Sequence, residues 1–206
     1  MFGDVIHNTK EWPIFLLGDL GKTRLGKMLD AKKQIAGNSY PYLANQNVQW
    51  FKFDLTEVKT MSFLEKEKPT FLLKKGDLLI TEGGDVGRCS IWNDELPECY
   101  YQKALHRFRC DQGKIIPEYL AWWFKTRSDD DGFAYVTGAG ATIRHLTGDK
   151  LKALEVPVPP LSLQKQFQSR LTQIDKLRFK YQRQIELLNE LMEKKMDEYF
   201  GGEEDA

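Results

Sequence analysis

The sequence predicts an α+β domain followed by one long α-helix. Before residue 157, short apolar segments alternate with glycine-containing turns, a pattern that predicts strands. Three prolines within residues 157–160 interrupt this pattern, because proline restricts the residue before it and has no N–H to donate. After the prolines, apolar residues recur every three or four positions up to residue 200, which indicates a continuous helix.

The first domain is predicted over residues 12–157. Residues 78–81 and 89–92 are short apolar segments that flank a glycine-rich turn, and each predicts a strand. Residues 104–110 alternate apolar and polar side chains, which is typical of a half-buried strand. Residues 117–124 begin with proline and predict a helix, since proline is favoured in the first turn.

Residues 158–206 are predicted to form a helix and an acidic tail. Neither Gly nor Pro occurs between Ser162, a candidate N-cap, and Phe200, so the helix would be a rod of over about 50 Å. A single apolar stripe on so long a helix requires a second helix to cover it, which predicts a coiled coil. The residues predicted at this helix–partner interface are Phe167, Leu171, Ile174, Leu177, Tyr181, Ile185, Leu188 and Leu191.

A weak internal repeat links the two ends of the chain. The helix finishes with Tyr199-Phe200-Gly201, and the chain begins with Met1-Phe2-Gly3. Residues 1–11 therefore resemble the last residues of an equivalent, preceding helix. This echo is expected if the chain is one unit of a tandem arrangement of domain-plus-helix repeats.

Composition restricts the class of protein only loosely. The 30 Lys and Arg residues balance the 30 Asp and Glu residues, which gives no support to DNA binding, although a neutral total can hide a basic face. Cys89, Cys99 and Cys110 are odd in number and unpaired in spacing, which favours free thiols in a reducing compartment. With no apolar run of roughly 18–20 residues and no signal-peptide pattern, we expect a cytoplasmic protein.

Four ordered motifs resemble the specificity subunits of type I restriction-modification enzymes. Each motif is weak alone, but their order and their position before a long helix make the combination specific. The chain departs from the family in having Leu163-Gln164 where Glu-Gln is frequent, and in carrying one domain and one helix where complete subunits carry two of each. The motifs are Trp12-Pro13 with Leu17-Gly18-Asp19, Gly76-Asp77-Leu78-Leu79-Ile80 with Gly87-Arg88, residues 140–146, and residues 156–161 with Gln164.

This resemblance implies a half-size specificity subunit that has no catalytic activity of its own. Its target-recognition domain would read one half of a split DNA target, and its helix would pack antiparallel against a second spacer helix. Partner subunits would methylate adenine and cut unmodified DNA, so S-adenosylmethionine, Mg and ATP are expected only on those partners. A two-fold symmetric pair would read an interrupted palindrome.

Base recognition needs amide or cationic side chains, and phosphate contact needs cations or close backbone approach. Each candidate segment also has a structural explanation that does not involve DNA. Residues 41–47 can form an ordinary polar turn, and residues 83–88 a hairpin turn in which Arg88 makes a salt bridge. The tyrosines at 100–101 can pack in the core, and residues 138–145 can pack against the long helix. Lys22 and Arg24 are expected on a small basic loop. The candidate DNA-binding residues are Lys22, Arg24, Asn45, Gln46, Asn47, Gly84, Arg88, Gln102, Lys103, Thr142, Arg144 and His145.

Motifs for catalysis are missing from the sequence. There is no Asn-Pro-Pro-Tyr or Asp-Pro-Pro-Tyr adenine-methylation motif, and the three histidines lack zinc-ligand spacing. Two alternatives stay open at this point: a stand-alone DNA-processing enzyme, such as a nuclease with a dimerising helix, and a coiled-coil interaction protein without a nucleic-acid role.

Overall fold

The computed structural model of the chain describes residues 1–28, 39–131, 133–138 and 145–200. Two units are present, Met1–Gln164 and Lys165–Ala206. The boundary lies seven residues after the predicted one, because the first residues of the long helix belong to the globular unit. The strands are β1 (Ile14–Leu16), β2 (Gly21–Leu25), β3 (Ser39–Leu43), β4 (Val48–Gln49), β5 (Lys52–Phe53), β6 (Lys59–Ser62), β7 (Leu78–Thr81), β8 (Cys89–Ile91), β9 (Tyr100–Tyr101), β10 (Leu105–Cys110) and β11 (Glu155–Pro157). The helices are α1 (Lys68–Phe71), α2 (Pro117–Asp130), α3 (Ala134–Thr137), α4 (Gly148–Lys152) and α5 (Leu161–Phe200).

A four-stranded antiparallel sheet in the order β2-β10-β7-β8 forms the centre of the first unit. The three strands predicted at 78–81, 89–92 and 104–110 are confirmed within one or two residues. The helix predicted over 117–124 begins at Pro117 as expected and extends to Asp130. β10 is not half-buried as the alternation predicted: Leu105, His106, Arg107 and Phe108 are all buried. The reason is that β10 is a central strand with apolar clusters on both faces, Phe108 packing into one and Leu105 into the other.

Asp77 fixes the register of this sheet. It is 1% exposed and forms two hydrogen bonds with the Arg109 guanidinium, at 2.6 and 2.7 Å. The same carboxylate accepts the backbone N–H of Lys74 at 2.8 Å, and the Asp77 carbonyl accepts the N–H of Trp92. Pairing with Asp77 raises the pKa of the Arg109 guanidinium further above its usual range. The Asp of the Gly76-Asp77 motif is thus a buried structural counter-ion.

Three smaller sheets complete the first unit. β6, β3 and β9 form a mixed sheet in which β3 runs antiparallel to β6 and parallel to β9, and β4 pairs with β5. β1 pairs with β11, so the two ends of the domain are joined through the register Ile14 to Pro157. The N–H of Val158 then bonds to the carbonyl of Pro13 at 2.9 Å. The proline run predicted as a connector therefore begins as a strand.

Residues 1–11 pack onto the core as turns, not as helix. Val5 is buried in the main apolar cluster, and the ring of Phe2 lies edge-on to that of Tyr119 at 4.9 Å. Helix is excluded here by left-handed backbone at Asn8 (φ 48) and Glu11 (φ 54). The helical end suggested by the repeat is therefore not formed in this segment.

The long helix α5 is confirmed from Leu161 to Phe200. Ser162 lies inside its first turn, so the prediction of Ser162 as N-cap is wrong; the N–H of Gln164 already bonds to the carbonyl of Pro160. Gln164 is fully buried, and its side-chain oxygen accepts the N–H of Ile116 at 3.0 Å. Its amide nitrogen donates to the carbonyls of Pro159 (2.7 Å) and Lys114 (3.2 Å). Because an unmade buried hydrogen bond is costly, this amide stabilises the start of α5 within the first unit.

We predict that Asp77→Asn lowers the free energy of unfolding of the first unit by about 1–3 kcal/mol. The substitution removes the buried charge that pairs with Arg109, and the cost is limited because Arg109 is 37% exposed and water can solvate it. Urea unfolding followed by circular dichroism measures the change. The matched control is Asp149→Asn, which breaks an exposed pair with Lys152 and should cost less than about 0.5 kcal/mol. Equal stability of the two variants would show that the buried pair is not what stabilises the sheet.

Candidate nucleic-acid interface

Five of the predicted DNA-binding residues line one cavity of about 470 Å³. They come from four places that are distant in sequence, at residues 45, 84, 102–103 and 145. The first three follow strands β3, β7 and β9, and His145 is held beside the end of β7 by its bridge to Gly83. The lining residues are Met28, Asn45, Glu82, Gly83, Gly84, Gln102, Lys103, Ala104 and His145.

Main-chain hydrogen bonds hold the floor of this cavity. Glu82, directly after β7, donates its N–H to the carbonyl of Ala104 at 3.0 Å and accepts the N–H of Leu146 at 2.7 Å. Gly83 forms a bridge with His145. These contacts continue the β7–β10 register and bring the 145–146 segment against the end of the sheet.

Asn45 closes one side of the cavity and is used internally. Its amide nitrogen donates to the carbonyl of Gly83 at 2.9 Å, and its side-chain oxygen is buried without a hydrogen-bond partner among the described residues. Gly84 has a φ of 73°, and a Cβ there would lie 3.2 Å from the Asn45 amide nitrogen. Asn45 therefore stabilises the glycine turn, and its amide is not presented outward for base recognition.

Arg88 has a structural role in the same turn. Its guanidinium lies 3.4 Å from a carboxylate oxygen of Asp85 and donates to the backbone carbonyl of Asn45 at 3.2 Å. The Arg88 side chain is only 18% exposed. The salt-bridge explanation is therefore the one that the structure bears out, and we leave Arg88 out of the proposed contacts with DNA.

Gln102 and Lys103 project from a tight connection between β9 and β10. The N–H of Gln102 bonds to Leu43 and that of Lys103 to Lys27, so the backbone is fixed. A Cβ on Gly26 would lie 2.2 Å from the carbonyl oxygen of Gln102, so only glycine permits this approach. Neither Gln102 nor Lys103 uses its side chain in a hydrogen bond with another described residue, and both remain available for an external ligand.

Several predicted residues lie elsewhere. Asn47 is 3% exposed, and its amide bonds to Ala44, Asp54 and Glu57, which excludes it from base contact. Gln46 is exposed beside it, on a 3-10 turn. Tyr100 and Tyr101 are fully buried, which confirms core packing. The predicted residues Thr142 and Arg144 lie outside the described residues.

Lys22 and Arg24 lie on strand β2, so the basic loop predicted for them is wrong. Both side chains are exposed. The antiparallel register places Lys22 opposite Arg109 and Arg24 opposite Arg107 on β10. Four cations therefore lie on this pair of strands, and the positive charge is concentrated there although the chain is neutral overall. Directly opposed like charges are destabilising unless they find partners.

Internal partners take up part of that positive charge. Arg109 is neutralised by Asp77, and Arg107 is buried and donates to the carbonyl of Thr70 at 3.0 Å. The Arg24 guanidinium lies 5.5 Å from the centre of the Phe71 ring. Lys22 forms no salt bridge within the described part of the chain. Lys22 and Arg24 are consequently the two cations of this surface that remain free to meet an anion.

Sequence reasoning missed Glu82 and Met28, both of which line the cavity. Met28 is 62% exposed, and Glu82 is half-buried. Carboxylates were not among the side chains sought, because DNA-binding residues were expected to be cations and amides. The signal that could have found Glu82 is its position directly between an apolar strand and the Gly83-Gly84 turn.

His106 supports the cavity from inside the sheet. It is 1% exposed, and its Nε2 lies 2.9 Å from the Leu146 carbonyl, so Nε2 carries the proton and donates. Its Nδ1 is buried without a partner among the described residues. Burial lowers the pKa of His106, with Lys152 lowering it further and Glu82 opposing the shift. The neutral imidazole thus holds the segment that carries His145.

Helix α5 carries the second candidate surface, described here for the second unit alone. Six of the eight predicted interface residues, from Ile174 to Leu191, are exposed by half or more. Met192 follows Ile174 by 18 residues, five full turns, and therefore lies on the same line of the helix. Phe179 follows Ile174 by five residues and lies about 140° away around the axis, on another face. The predicted apolar stripe is present and is continuous to Tyr199.

Metal-binding clusters and membrane-spanning helices are both absent from the described residues. No cluster of three or more His, Cys, Asp or Glu side chains among them could hold a metal ion. None of their helices is both long enough and apolar enough to cross a membrane.

Comparison with known proteins gives consistent matches. The family described as "Type I restriction modification DNA specificity domain" matches residues 9–190. A protein of Methanocaldococcus jannaschii described as a type I restriction enzyme MjaX specificity subunit is 25% identical over 195 residues, which is 93% of this chain and 46% of that protein. The chain spans less than half the length of the curated relatives it matches.

Solved structures share the fold. The HsdS subunit from Thermoanaerobacter tengcongensis aligns with a TM-score of 0.59 and 18% identity, covering 85% of this chain and 40% of that one. The S subunit of the type I restriction-modification system from M. genitalium aligns with a TM-score of 0.56 and 16% identity, covering 98% and 48%. These alignments confirm the mixed α/β architecture with a long C-terminal helix.

The lowered pKa of His106 gives a pH prediction. Below about pH 6.5 the unfolded chain takes up a proton that the buried imidazole resists, so His106 makes the folded state less stable as pH falls. We expect His106→Gln, which keeps a donor near Leu146, to show a smaller loss of stability than the unsubstituted chain between about pH 7.5 and about pH 5. Urea midpoints across this range measure it. The matched control is His7→Gln, an exposed histidine whose pKa is raised by its hydrogen bond with Asp4, so its removal should not reduce the loss of stability as pH falls. Parallel profiles for the unsubstituted chain and His106→Gln would contradict the prediction.

Proposed function

Because the chain belongs to the type I restriction-modification DNA specificity domain family, we propose that it is a sequence-specific DNA-binding specificity subunit. In this proposal the first unit is a target-recognition domain that reads one half of a bipartite target. The chain recruits adenine-N6 methyltransferase and restriction subunits and performs no chemistry itself. S-adenosylmethionine, Mg and ATP belong to those partners.

The observation that carries this proposal is that several of the predicted DNA-binding side chains line one cavity. Gln102, Lys103 and His145 come from separate segments and meet there. Gln102 and Lys103 offer the amide and cationic donors that base edges and phosphates accept. Lys22 and Arg24 add exposed cations on β2, which suit the DNA backbone.

Helix α5 supports the pairing part of the proposal. Its apolar stripe is exposed along most of its length, and exposed apolar stripes of this kind are covered by a second helix. We propose that α5 packs antiparallel against the helix of a second domain-plus-helix unit, either a copy of this chain or another half subunit. With two identical units, the target is an interrupted palindrome, because protein symmetry is mirrored in the DNA site.

A stand-alone nuclease and a simple coiled-coil protein are less well supported. The family match covers both the globular domain and most of α5, residues 9–190, and neither alternative accounts for a match over that whole range. A coiled-coil protein without a nucleic-acid role does not explain why polar side chains from distant segments line one cavity.

The proposal is tested by mapping methylated adenines across the host genome with and without this chain. We expect a specific methylated motif to be lost on deletion and restored on re-expression. The purified chain incubated with DNA and magnesium, or with S-adenosylmethionine, should show no turnover. Turnover without a partner, or an unchanged methylation map, would contradict the proposed function.

The helix pairing is tested by the double substitution Ile174→Asp and Leu188→Asp. Two carboxylates on the stripe should abolish self-association or partner docking, because an apolar seam does not tolerate unpaired charges. Analytical ultracentrifugation and co-purification with modification subunits measure the loss.

The matched control is Phe179→Asp, which introduces the same charge at an exposed apolar residue on another face of the helix. The control should self-associate like the unsubstituted chain. If the stripe variant stayed associated and still bound a modification subunit, the pairing surface would have been assigned wrongly.

A further inference from the structure

Glu82 is a carboxylate inside the candidate interface, and no other described residue pairs with it. It lines the cavity, is half-buried, and makes no side-chain hydrogen bond or salt bridge with another described residue. Lys103 lines the same cavity, yet the two side chains do not form a salt bridge. A partly buried charge that no described residue neutralises favours contact with a group outside the described part of the chain.

The backbone position of Glu82 is fixed by hydrogen bonds. Both its N–H and its carbonyl are bonded, to Ala104 and to Leu146, and the next residue bridges to His145. His106 in turn holds the Leu146 carbonyl at 2.9 Å. The Cα of Glu82 therefore stays at the cavity unless the end of the sheet is broken.

The negative charge of Glu82 restricts the groups of DNA that it can contact. A DNA phosphate would repel it, and the cations suited to phosphate lie on β2, at Lys22 and Arg24. Among the groups that base edges show in the major groove, an ionised carboxylate can accept a hydrogen bond only from an exocyclic amino group. Guanine and thymine present acceptors at the corresponding positions and would be repelled.

We propose that Glu82 is a specificity-determining residue that accepts a hydrogen bond from an exocyclic amino group of a base, the N4 amino group of cytosine or the N6 amino group of adenine. This inference rests on the proposed function, since it requires the cavity to face DNA. Gln102 and Lys103, beside Glu82, supply the donors for the neighbouring acceptors. The target then contains one position restricted to cytosine or adenine by Glu82.

The test is selection of binding sites from a randomised duplex DNA library by the full chain and by Glu82→Gln. The amide keeps an acceptor and gains a donor, so the variant should admit guanine or thymine at one position. We expect the preference at that position to fall by about tenfold or more, with the rest of the motif unchanged. The matched control is Glu57→Gln, which removes the same charge at an exposed site that does not line the cavity.

Base analogues separate the two sources of the amino group. At the affected position, cytosine is replaced by 2-pyrimidinone, or adenine by unsubstituted purine, each of which lacks the exocyclic amino group. The unsubstituted chain should bind the relevant analogue duplex about tenfold more weakly, whereas Glu82→Ala should bind natural and analogue duplexes equally. Circular dichroism confirms that both Glu82 variants are folded.

Failure of this inference can be told apart from failure of the proposed function. If the unsubstituted chain selects a motif and Glu82→Gln selects the same motif with the same base preferences, Glu82 does not determine specificity and only this inference is overturned. If the unsubstituted chain selects no motif, the proposed function fails and the inference fails with it. A uniform change of affinity across all sequences would also overturn it, since that result indicates a general charge effect.

Discussion

The buried carboxylate of Asp77 is the constraint on which the central sheet depends. It pairs with Arg109 directly across the strands, and one register then runs from this pair to the Glu82–Ala104 hydrogen bond at the other end of β7. Because successive side chains of a strand point to opposite faces, a slip by one residue would turn Glu82 away from its present side. The geometry of the cavity is therefore set by an ion pair at the opposite end of the strand.

The candidate interface consists of the polar groups that the fold does not use. Asn45, Asn47 and Arg88 have the side chains expected of base readers, yet their hydrogen bonds go to backbone groups of the domain. Gln102 and Lys103 have their backbone groups bonded, and their side chains are left for a ligand. This distinction separates side chains that shape the cavity from those that can recognise DNA.

Local pattern was enough to predict β7, β8, β10 and α5, because each depends on the periodicity or turn residues of its own segment. The cavity could be predicted only as separate candidate loops, since its assembly depends on contacts between residues about 40 to about 60 positions apart, such as that of Glu82 with Leu146. Burial of Asn47 was not predictable either, because a surface amide and a buried amide that bonds to backbone have the same sequence signature. Likewise, the exposed cations Lys22 and Arg24 were placed on a loop because their strand is short and lacks an apolar alternation.

A net charge of zero is compatible with DNA recognition once the positions of the charges are considered. Asp77 neutralises Arg109 inside the sheet, while Lys22 and Arg24 stay exposed on β2. At the ionic strength of a cell, screening limits the effect of an exposed charge to a range of about 8 Å. A local group of cations therefore attracts a phosphate more strongly than the net charge of the whole chain would indicate. The cavity-lining side chains lie at strand ends, whereas Asp77 and Gln164 hold the sheet and the start of α5 from buried positions. If the cavity contacts DNA as proposed, substitutions around it can change the recognised base without loss of the register.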